Sequence, residues 1–183
     1  VRGVRLDDGS RVEADLVLVG VGGTAELGLA RQIGLATAAG GILVDAHGAT
    51  AAPGIYAVGD VAAFRNDFVD APMRLESVQN AVDQAKAVAA HICGRAEPLT
   101  AVPWFWTDQY DFKVQMAGLG HPQAVELLRG DPHSGAFTLL QLHRGALVGA
   151  HTVNRAADHM AARRLIASRA ALDPAVAADP DTP

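Results

Sequence analysis

The feature that most constrains the fold is an unbroken apolar run over residues 16–19, followed directly by the glycine-rich residues 20–23. Strands that are buried on both faces of a parallel sheet have continuous apolar runs of this kind, without alternation. A turn signal over residues 7–10 separates two short strand-like segments before the run, which predicts a hairpin. The fold class predicted for this part of the chain is therefore α/β, with a parallel sheet. Because the sequence opens within a sheet, we expect it to be part of a longer protein.

Further elements are predicted from apolar spacing and from turn residues. Apolar residues recur at spacings of three and four from Val78 to Ile92, which predicts a helix with Ser77 as its N-cap and Gly94 just beyond its end. A short helix is expected to end near Ile33. Short strands are predicted over residues 42–44 and 55–58.

The pattern changes after residues 95–103, which hold two prolines and are predicted to be a linker. Residues 1–94 precede this linker as one unit. Residues 104–172 follow it as an α+β unit, with a tail over residues 173–183. The predicted elements of the second unit are strands over residues 104–107, 112–117, 125–129, 137–142 and 146–153, and a helix over 155–168 that has Ala157, Met160, Ala161 and Leu165 on its apolar face. Three acids and three prolines in the tail predict disorder.

Composition excludes several classes of protein. The chain has 20 acidic and 15 basic residues, for a formal charge of −5, which argues against a nucleic-acid binder. No apolar run approaches the roughly 18 residues that a membrane helix needs. The single cysteine, Cys93, excludes an internal disulfide, a CxxC redox pair and a cysteine-based zinc site. The histidines show no metal-binding spacing, and a cytoplasmic setting is expected.

The first candidate for binding chemistry is Gly20-x-Gly22-x-x-Ala25, which follows the apolar run. This pattern is close to a dinucleotide fingerprint, in which glycines let the backbone approach a pyrophosphate at a helix N-terminus. The alanine at the third position departs from the commoner glycine. Three interpretations stay open: a fingerprint that contacts NAD, a glycine turn near a cofactor, or a purely structural turn.

The second candidate is the segment over residues 50–60, which ends in Gly59-Asp60. A strand predicted to end in Gly-Asp places a carboxylate at the sheet edge where ligands bind in open α/β folds. Such a carboxylate can accept hydrogen bonds from a polyol or a ribose. The alternative is that Asp60 caps a helix. The segment strongly resembles the second FAD-binding motif of the two-dinucleotide-domain flavoprotein reductases. This resemblance implies that Asp60 binds the ribitol of FAD, with Gly59 and Val61 beside it.

Two further segments narrow the family. Residues 74–81 and 104–110, with the preceding motif, resemble the FAD-dependent ferredoxin reductases of the bacterial oxygenase type, and the likeness extends over residues 1–169. It implies a helix N-terminus that faces the flavin ring. The site residues implied are the backbone of Val78, the carboxylate of Glu76 near the nicotinamide, Trp106 beside the isoalloxazine, and Trp104 as its companion. Taken alone, Glu76 fits an ordinary acid near a helix N-terminus and the tryptophans fit a core or an interface.

The activity implied by the resemblance is electron transfer from NAD(P)H through FAD to a [2Fe–2S] ferredoxin. It implies that residues 1–94 hold the end of an NAD-binding domain and the returning segment of an FAD-binding domain. The N-terminal half of such an enzyme, with both full glycine motifs, is missing, so we expect this chain alone to be inactive. Alternatives are a nitrite-reductase-like or apoptosis-inducing-factor-like flavoprotein of the same superfamily, or a non-catalytic remnant that acts as a binding module.

The basic residues near the end of the chain suggest a partner surface. Five arginines and one acid lie between residues 144 and 169, and Arg163 and Arg164 stand side by side in the last predicted helix. An acidic ferredoxin would be attracted to such a patch. Cations in the last turns of a helix also stabilise it through the helix dipole, which is the other interpretation.

Overall fold

A computed structural model describes residues 1–66, 68–95 and 98–182. The strands are β1 Val4–Arg5, β2 Arg11–Val12, β3 Thr37–Ala38, β4 Gly41–Leu43, β5 Ala62–Asn66, β6 Val69–Met73, β7 Trp104–Gln109, β8 Phe112–Gly118, β9 Val125–Asp131, β10 Ala136–His143 and β11 Ala146–Val153. The helices are α1 Gly28–Gln32, α2 Val78–Ile92, α3 Ala156–Ser168 and α4 Pro174–Ala178, and single 3₁₀ turns span Gly59–Val61 and Pro132–Ser134.

The first part of the chain forms two small sheets. β1 and β2 pair as the predicted antiparallel hairpin. A second sheet has the order β3-β4-β5-β6, in which only the pair β4 and β5 is parallel. Its core is small and consists of Val44, Ala57, Ala62 and Phe64. The mixed sheet agrees with the α/β class, although only one of its strand pairs has the parallel pairing that the sequence predicts for the whole sheet.

The buried strand predicted over residues 16–19 is wrong for this chain. These residues have no strand assignment, and Leu16 and Leu18 are 79% and 89% exposed. A strand needs a neighbour that takes up its backbone hydrogen bonds, and the described residues offer none to this run. The helix that follows, α1, begins only at Gly28, so the glycines of residues 20–23 lack the strand-turn-helix setting of a dinucleotide fingerprint.

The predicted strand over residues 55–58 is also wrong. It is reduced to one bridge between Ala49 and Tyr56, and the chain then enters the 3₁₀ turn at Gly59–Val61. β5 and β6, which follow, were not predicted. Alanine has little preference for strands, and the first residues of β5 are extended because Ala62 and Ala63 pair with Ile42 and Leu43 of β4.

The predicted helix α2 is confirmed with its caps. The Ser77 side chain accepts a hydrogen bond from the backbone N–H of Asn80 at 3.1 Å, as an N-cap does. Gly94 follows the C-terminal cap with a φ of +76°, where a residue without Cβ is favoured. Two of the buried residues of α2, Asn80 and Gln84, are polar.

The second part of the chain contains the larger core. All five predicted strands are present and form an antiparallel sheet in the order β7-β8-β11-β10-β9. Helix α3 packs against β8 and β11. Leu140, Leu147, Ala150, Ala162 and Ile166 are among the buried residues that join helix and sheet. The unit boundaries at residues 94 and 104 stay predictions.

The apolar face predicted for α3 is partly wrong. The buried residues of the helix are His159, Ala162 and Ile166, whereas Met160 is 50% exposed and Ala157 is exposed. The buried stripe is rotated by about one residue, or roughly 100°, from the predicted one. The docking of α3 on the sheet decides this rotation.

The tail predicted to be disordered instead holds a helix. Asp173 caps α4 by accepting a hydrogen bond from the N–H of Ala175, and α4 packs on β9. The Arg129 guanidinium donates to the carbonyl of Ala177 at 3.3 Å and to backbone carbonyls farther along the tail. Long-range contacts of this kind leave no trace in local composition. Among the described residues, no helix has both the length and the apolar character required to cross a membrane.

Candidate functional site

The N-terminal half of α2 joins the two segments that the sequence singles out. The buried Gln84 side chain accepts a hydrogen bond from the N–H of Gly59 at 2.6 Å. Gln79, nearer the start of the helix, accepts from the N–H of Trp104 at 3.1 Å. These two glutamines therefore hold the 3₁₀ turn and β7 against the same helix. Sequence reasoning missed both, because a glutamine in a helix usually faces solvent and its spacing carries no special signal.

The Gly59-Asp60 turn lies close against α2. Gly59 is buried and has a φ of +73°, and a Cβ built onto it would lie 3.5 Å from the Cβ of Ala81. The left-handed backbone here favours glycine. Asp60 is exposed, and its carbonyl oxygen accepts a hydrogen bond from Arg74 at 3.0 Å. This arrangement leaves the Asp60 carboxylate at the surface, and the described bonds do not make it a helix cap. Val61, half-buried, completes the turn.

Arg74 connects the Asp60 turn to Glu76. Its guanidinium forms an ion pair with the Glu76 carboxylate while it also donates to the Asp60 carbonyl. The Arg74 side chain is largely buried, and that of Glu76 is 47% exposed. Sequence reasoning did not give Arg74 a role. Its only signal is a cation two residues before a candidate site acid.

The start of α2 presents an apolar and electropositive surface. Val78, the first residue of the helix, is 62% exposed. The first-turn N–H groups of a helix lack acceptors within the helix, and the Ser77 side chain accepts a bond from one of them, that of Asn80. The partial positive charge of the helix N-terminus is thus available to an electron-rich group placed next to Val78.

The two tryptophans stand together at the start of β7. Their ring centroids are 5.3 Å apart with the planes inclined by 30°, and Trp106 is 37% exposed. Trp104 is half-buried and also contacts α3, where the Arg163 guanidinium lies 4.9 Å from its ring centroid and His159 meets it edge-on. Trp106 therefore offers its ring to solvent, while Trp104 connects it to α3.

Gly20 and Gly22 lie outside this arrangement. Apart from the sequence neighbours, no heavy atom of the described residues lies within 4 Å of a Cβ built onto either glycine. Both glycines belong to the exposed segment that lacks a strand before it and a helix directly after it. A contact with NAD at Gly20 and Gly22 stays a prediction.

The residues present fit an isoalloxazine and ribitol group. An exposed carboxylate at Asp60 can accept hydrogen bonds from polyol hydroxyls. The exposed Val78 at a helix N-terminus provides an apolar contact together with positive potential, and Trp106 supplies an aromatic face. These polar, apolar and aromatic groups lie on α2 or on elements bonded to it, and each is of a type that a flat heteroaromatic ring on a polyol chain would need.

Family models match most of the chain in two pieces. Residues 1–85 match the family described as pyridine nucleotide-disulphide oxidoreductase. Residues 104–183 match the family described as reductase C-terminal. The two matches fall on either side of the predicted linker.

Curated and solved relatives agree with these models. A ferredoxin--NAD(P)(+) reductase of Sphingomonas sp. is 43% identical over 98% of this chain and 44% of its own length. A ferredoxin reductase structure from Rhodopseudomonas palustris is 42% identical, with a TM-score of 0.89 over 97% of this chain and 44% of that chain. The structure of putidaredoxin reductase in covalent complex with putidaredoxin is 35% identical, with a TM-score of 0.90 over 97% of this chain and 42% of that chain.

The chain thus spans less than half the length of the relatives that it matches. Sequence identity, the shared fold and the two family models agree on one assignment. This chain belongs to the ferredoxin reductases of the pyridine nucleotide-disulphide oxidoreductase family, and it corresponds to the C-terminal part of their chains.

Proposed function

We propose that this chain supplies the C-terminal part of the flavin site in an enzyme that transfers electrons from NAD(P)H through FAD to a [2Fe–2S] ferredoxin. The observation that carries the proposal is the attachment of the Gly59 turn and of Trp104 to one helix through Gln84 and Gln79. When bound, FAD would accept a hydride from the nicotinamide and release electrons one at a time. The chain's own residues bind, orient and tune that group.

The residues divide this work by their chemistry. Asp60 would accept hydrogen bonds from the ribitol, and the Gly59 and Val61 backbone shapes the turn that presents it. Val78 would contact the ring, and the α2 N-terminus would stabilise negative charge there by its dipole. Trp106 would cover an aromatic face, supported by Trp104. Glu76, which is paired with Arg74, would serve the nicotinamide side.

A chimera tests this proposal. The unmatched N-terminal part of the Sphingomonas sp. reductase is joined ahead of this chain, so that both halves of the flavin site are present. We expect a stoichiometric flavin absorption band and NADH-dependent reduction of a ferredoxin. Asp60→Ala in the chimera should weaken FAD binding at least about tenfold, because the anionic acceptor proposed for the ribitol is lost. The matched control is Asp108→Ala, which removes an exposed carboxylate of β7.

The chain without the added N-terminal part tests whether that part is needed to bind FAD. The 183-residue chain alone is expected to retain no stoichiometric FAD after gel filtration, since the other half of the site is absent. Flavin retained at one equivalent would contradict this expectation. Equal FAD affinity in the Asp60→Ala and Asp108→Ala chimeras would contradict the role of Asp60.

The arginines of α3 are proposed to contribute to ferredoxin docking. Arg164 is exposed, whereas Arg163 lies over the Trp104 ring and Arg155 pairs with Asp158. The Arg164 guanidinium is therefore more accessible to an acidic partner than the Arg163 guanidinium is. Arg164→Glu in the chimera should raise KM for the ferredoxin at low salt and lose this effect at high salt. Arg31→Glu in α1 is the matched charge reversal, and an equal effect from it would refute docking at Arg164.

A further inference from the structure

Trp104 is contacted by two side chains that lie one turn apart on α3. The Arg163 guanidinium carbon lies 4.9 Å from the ring centroid. The His159 ring meets the same indole at a centroid distance of 5.6 Å and an angle of 61°. Residues at positions i and i+4 share one helix face, so α3 places a cation and an imidazole on the same tryptophan.

His159 is an unusual residue to find inside this structure. It is 2% exposed, and neither of its ring nitrogens has a hydrogen-bond partner in the part of the chain that the structure describes. Burial, aided by the charge of Arg163, lowers the pKa of His159, so the ring is neutral at pH 7. A buried imidazole without polar partners has a desolvation cost. The edge-on contact of the His159 ring with Trp104 is a favourable interaction that offsets part of this cost.

Arg163 differs from its neighbour Arg164 in what it touches. Arg163 is half-buried over the indole, whereas Arg164 is exposed. A guanidinium within about 6 Å of a tryptophan ring is attracted to its π face, and the attraction is stronger where water is partly excluded. The positive charge of Arg163 is thus directed at Trp104, whose ring centroid lies 5.3 Å from that of Trp106 with the planes inclined by 30°.

We propose that Arg163 and His159 are positioning residues that clamp Trp104 and, through it, fix the orientation of Trp106. The clamp is a property of this chain. Its consequence for a flavin beside Trp106 rests on the proposed function. Helix α3 thereby acts on the Trp104 side chain, whereas α2 holds the backbone of Trp104 through Gln79.

Tryptophan fluorescence reads this clamp directly. The chain has two tryptophans, and both belong to the cluster. Acrylamide quenching is measured on the 183-residue chain without flavin. Arg163→Gln should raise the quenching constant about twofold, because the cation that covers one of the two faces of Trp104 is removed. Arg163→Lys, which keeps a cation, should stay near the wild-type value, and Arg164→Gln should match the wild type.

Circular dichroism of each variant confirms that it is folded before the comparison. If Arg163→Gln does not fold, Arg163→Met, which keeps an apolar stem, takes its place with the same expectation. Three outcomes would each overturn the clamp. The first is a wild-type quenching constant in Arg163→Gln, and the second is an equal increase in Arg163→Gln and Arg164→Gln. The third is a quenching constant in Arg163→Lys as high as that in Arg163→Gln. Because no flavin is present, failure of the flavin chimera leaves this result intact and the two proposals are judged separately.

Discussion

The two parts of the chain are stabilised very differently. In the second part, β7–β11 form one continuous antiparallel sheet, and α3 covers it with buried Leu147, Ala150 and Ile166. In the first part, the described residues form a smaller core around Ala62 and Phe64, and apolar residues such as Leu18 and Val21 are 89% exposed. A domain is stable when its elements bury their apolar faces against one another. The second part does so within this chain, whereas residues 15–24 are all exposed and do not.

Hydrogen exchange should show the largest effect of this difference. Amides of β10 and β11 are expected to exchange more slowly than those of residues 14–23 by about three orders of magnitude or more, because central strands open only with global unfolding. Mass spectrometry of peptic fragments from the 183-residue chain measures this. Similar protection in both regions would contradict the comparison. In the flavin chimera, residues 16–19 should become protected if they complete a sheet there.

A smaller effect is expected at the polar cluster that supports the second part. Asp158 accepts from Thr138 at 2.8 Å and pairs with Arg129 and Arg155, and its side chain is 14% exposed. Burial opposes the charge of Asp158, but hydrogen bonds from Arg155 and Thr138 and the nearby arginine charges outweigh it, so its pKa is lowered. Asp158→Asn should cost about 2 kcal/mol in the free energy of unfolding, since Arg129 is left without its anion.

Urea denaturation followed by circular dichroism measures this cost, with Asp108→Asn as the exposed control. The folded-state pKa of Asp158 lies below its ordinary value of 3.8, so its contribution is present above pH 3.8 and is lost as pH falls through the folded pKa. The difference between Asp158→Asn and wild type should therefore shrink in that acid range. A constant difference would argue against the ionised carboxylate as the source.

The smallest expected effect concerns His159. Its pKa in the folded chain is below the ordinary 6.5 because burial and the Arg163 charge disfavour its protonation. The unfolded chain therefore binds a proton more readily, and the stability that His159 contributes above pH 6.5 is lost as pH falls toward the folded pKa. Melting temperature measured from pH 8 to pH 5 should fall less steeply in His159→Gln than in wild type. Equal slopes would show that His159 does not titrate on unfolding.

Local sequence patterns were sufficient for the elements whose partners are close in sequence. The helix α2 follows from its apolar spacing and its caps, Ser77 and Gly94. The pairing of β7 with β8 and of β9, β10 and β11 in succession follows from strand-like segments separated by turn residues, whereas the pairing of β8 with β11 joins distant segments. The Gly59-Asp60 motif and the Trp104–Trp106 pair were also identified from sequence, and the structure attaches both to α2. Their roles toward a flavin stay predictions.

Other features depended on distant contacts. Residues 16–19 have the composition of a buried strand, yet a strand forms only where another strand accepts its hydrogen bonds. β5 carries a weak local signal, and its first residues are extended because they pair with β4. The tail forms α4 against β9, where Arg129 from far earlier in the sequence binds its carbonyls.

The sequence alone determined the family and the residues that carry its motifs, because those depend on residue type and spacing. The tertiary structure alone decided which side chains connect the site. Gln79 and Gln84 accept hydrogen bonds from backbone N–H groups 25 residues away in sequence, and the Arg163 guanidinium lies over the Trp104 ring. The physical reason is that a polar side chain has no fixed partner until folding removes water from around it and leaves one group within reach.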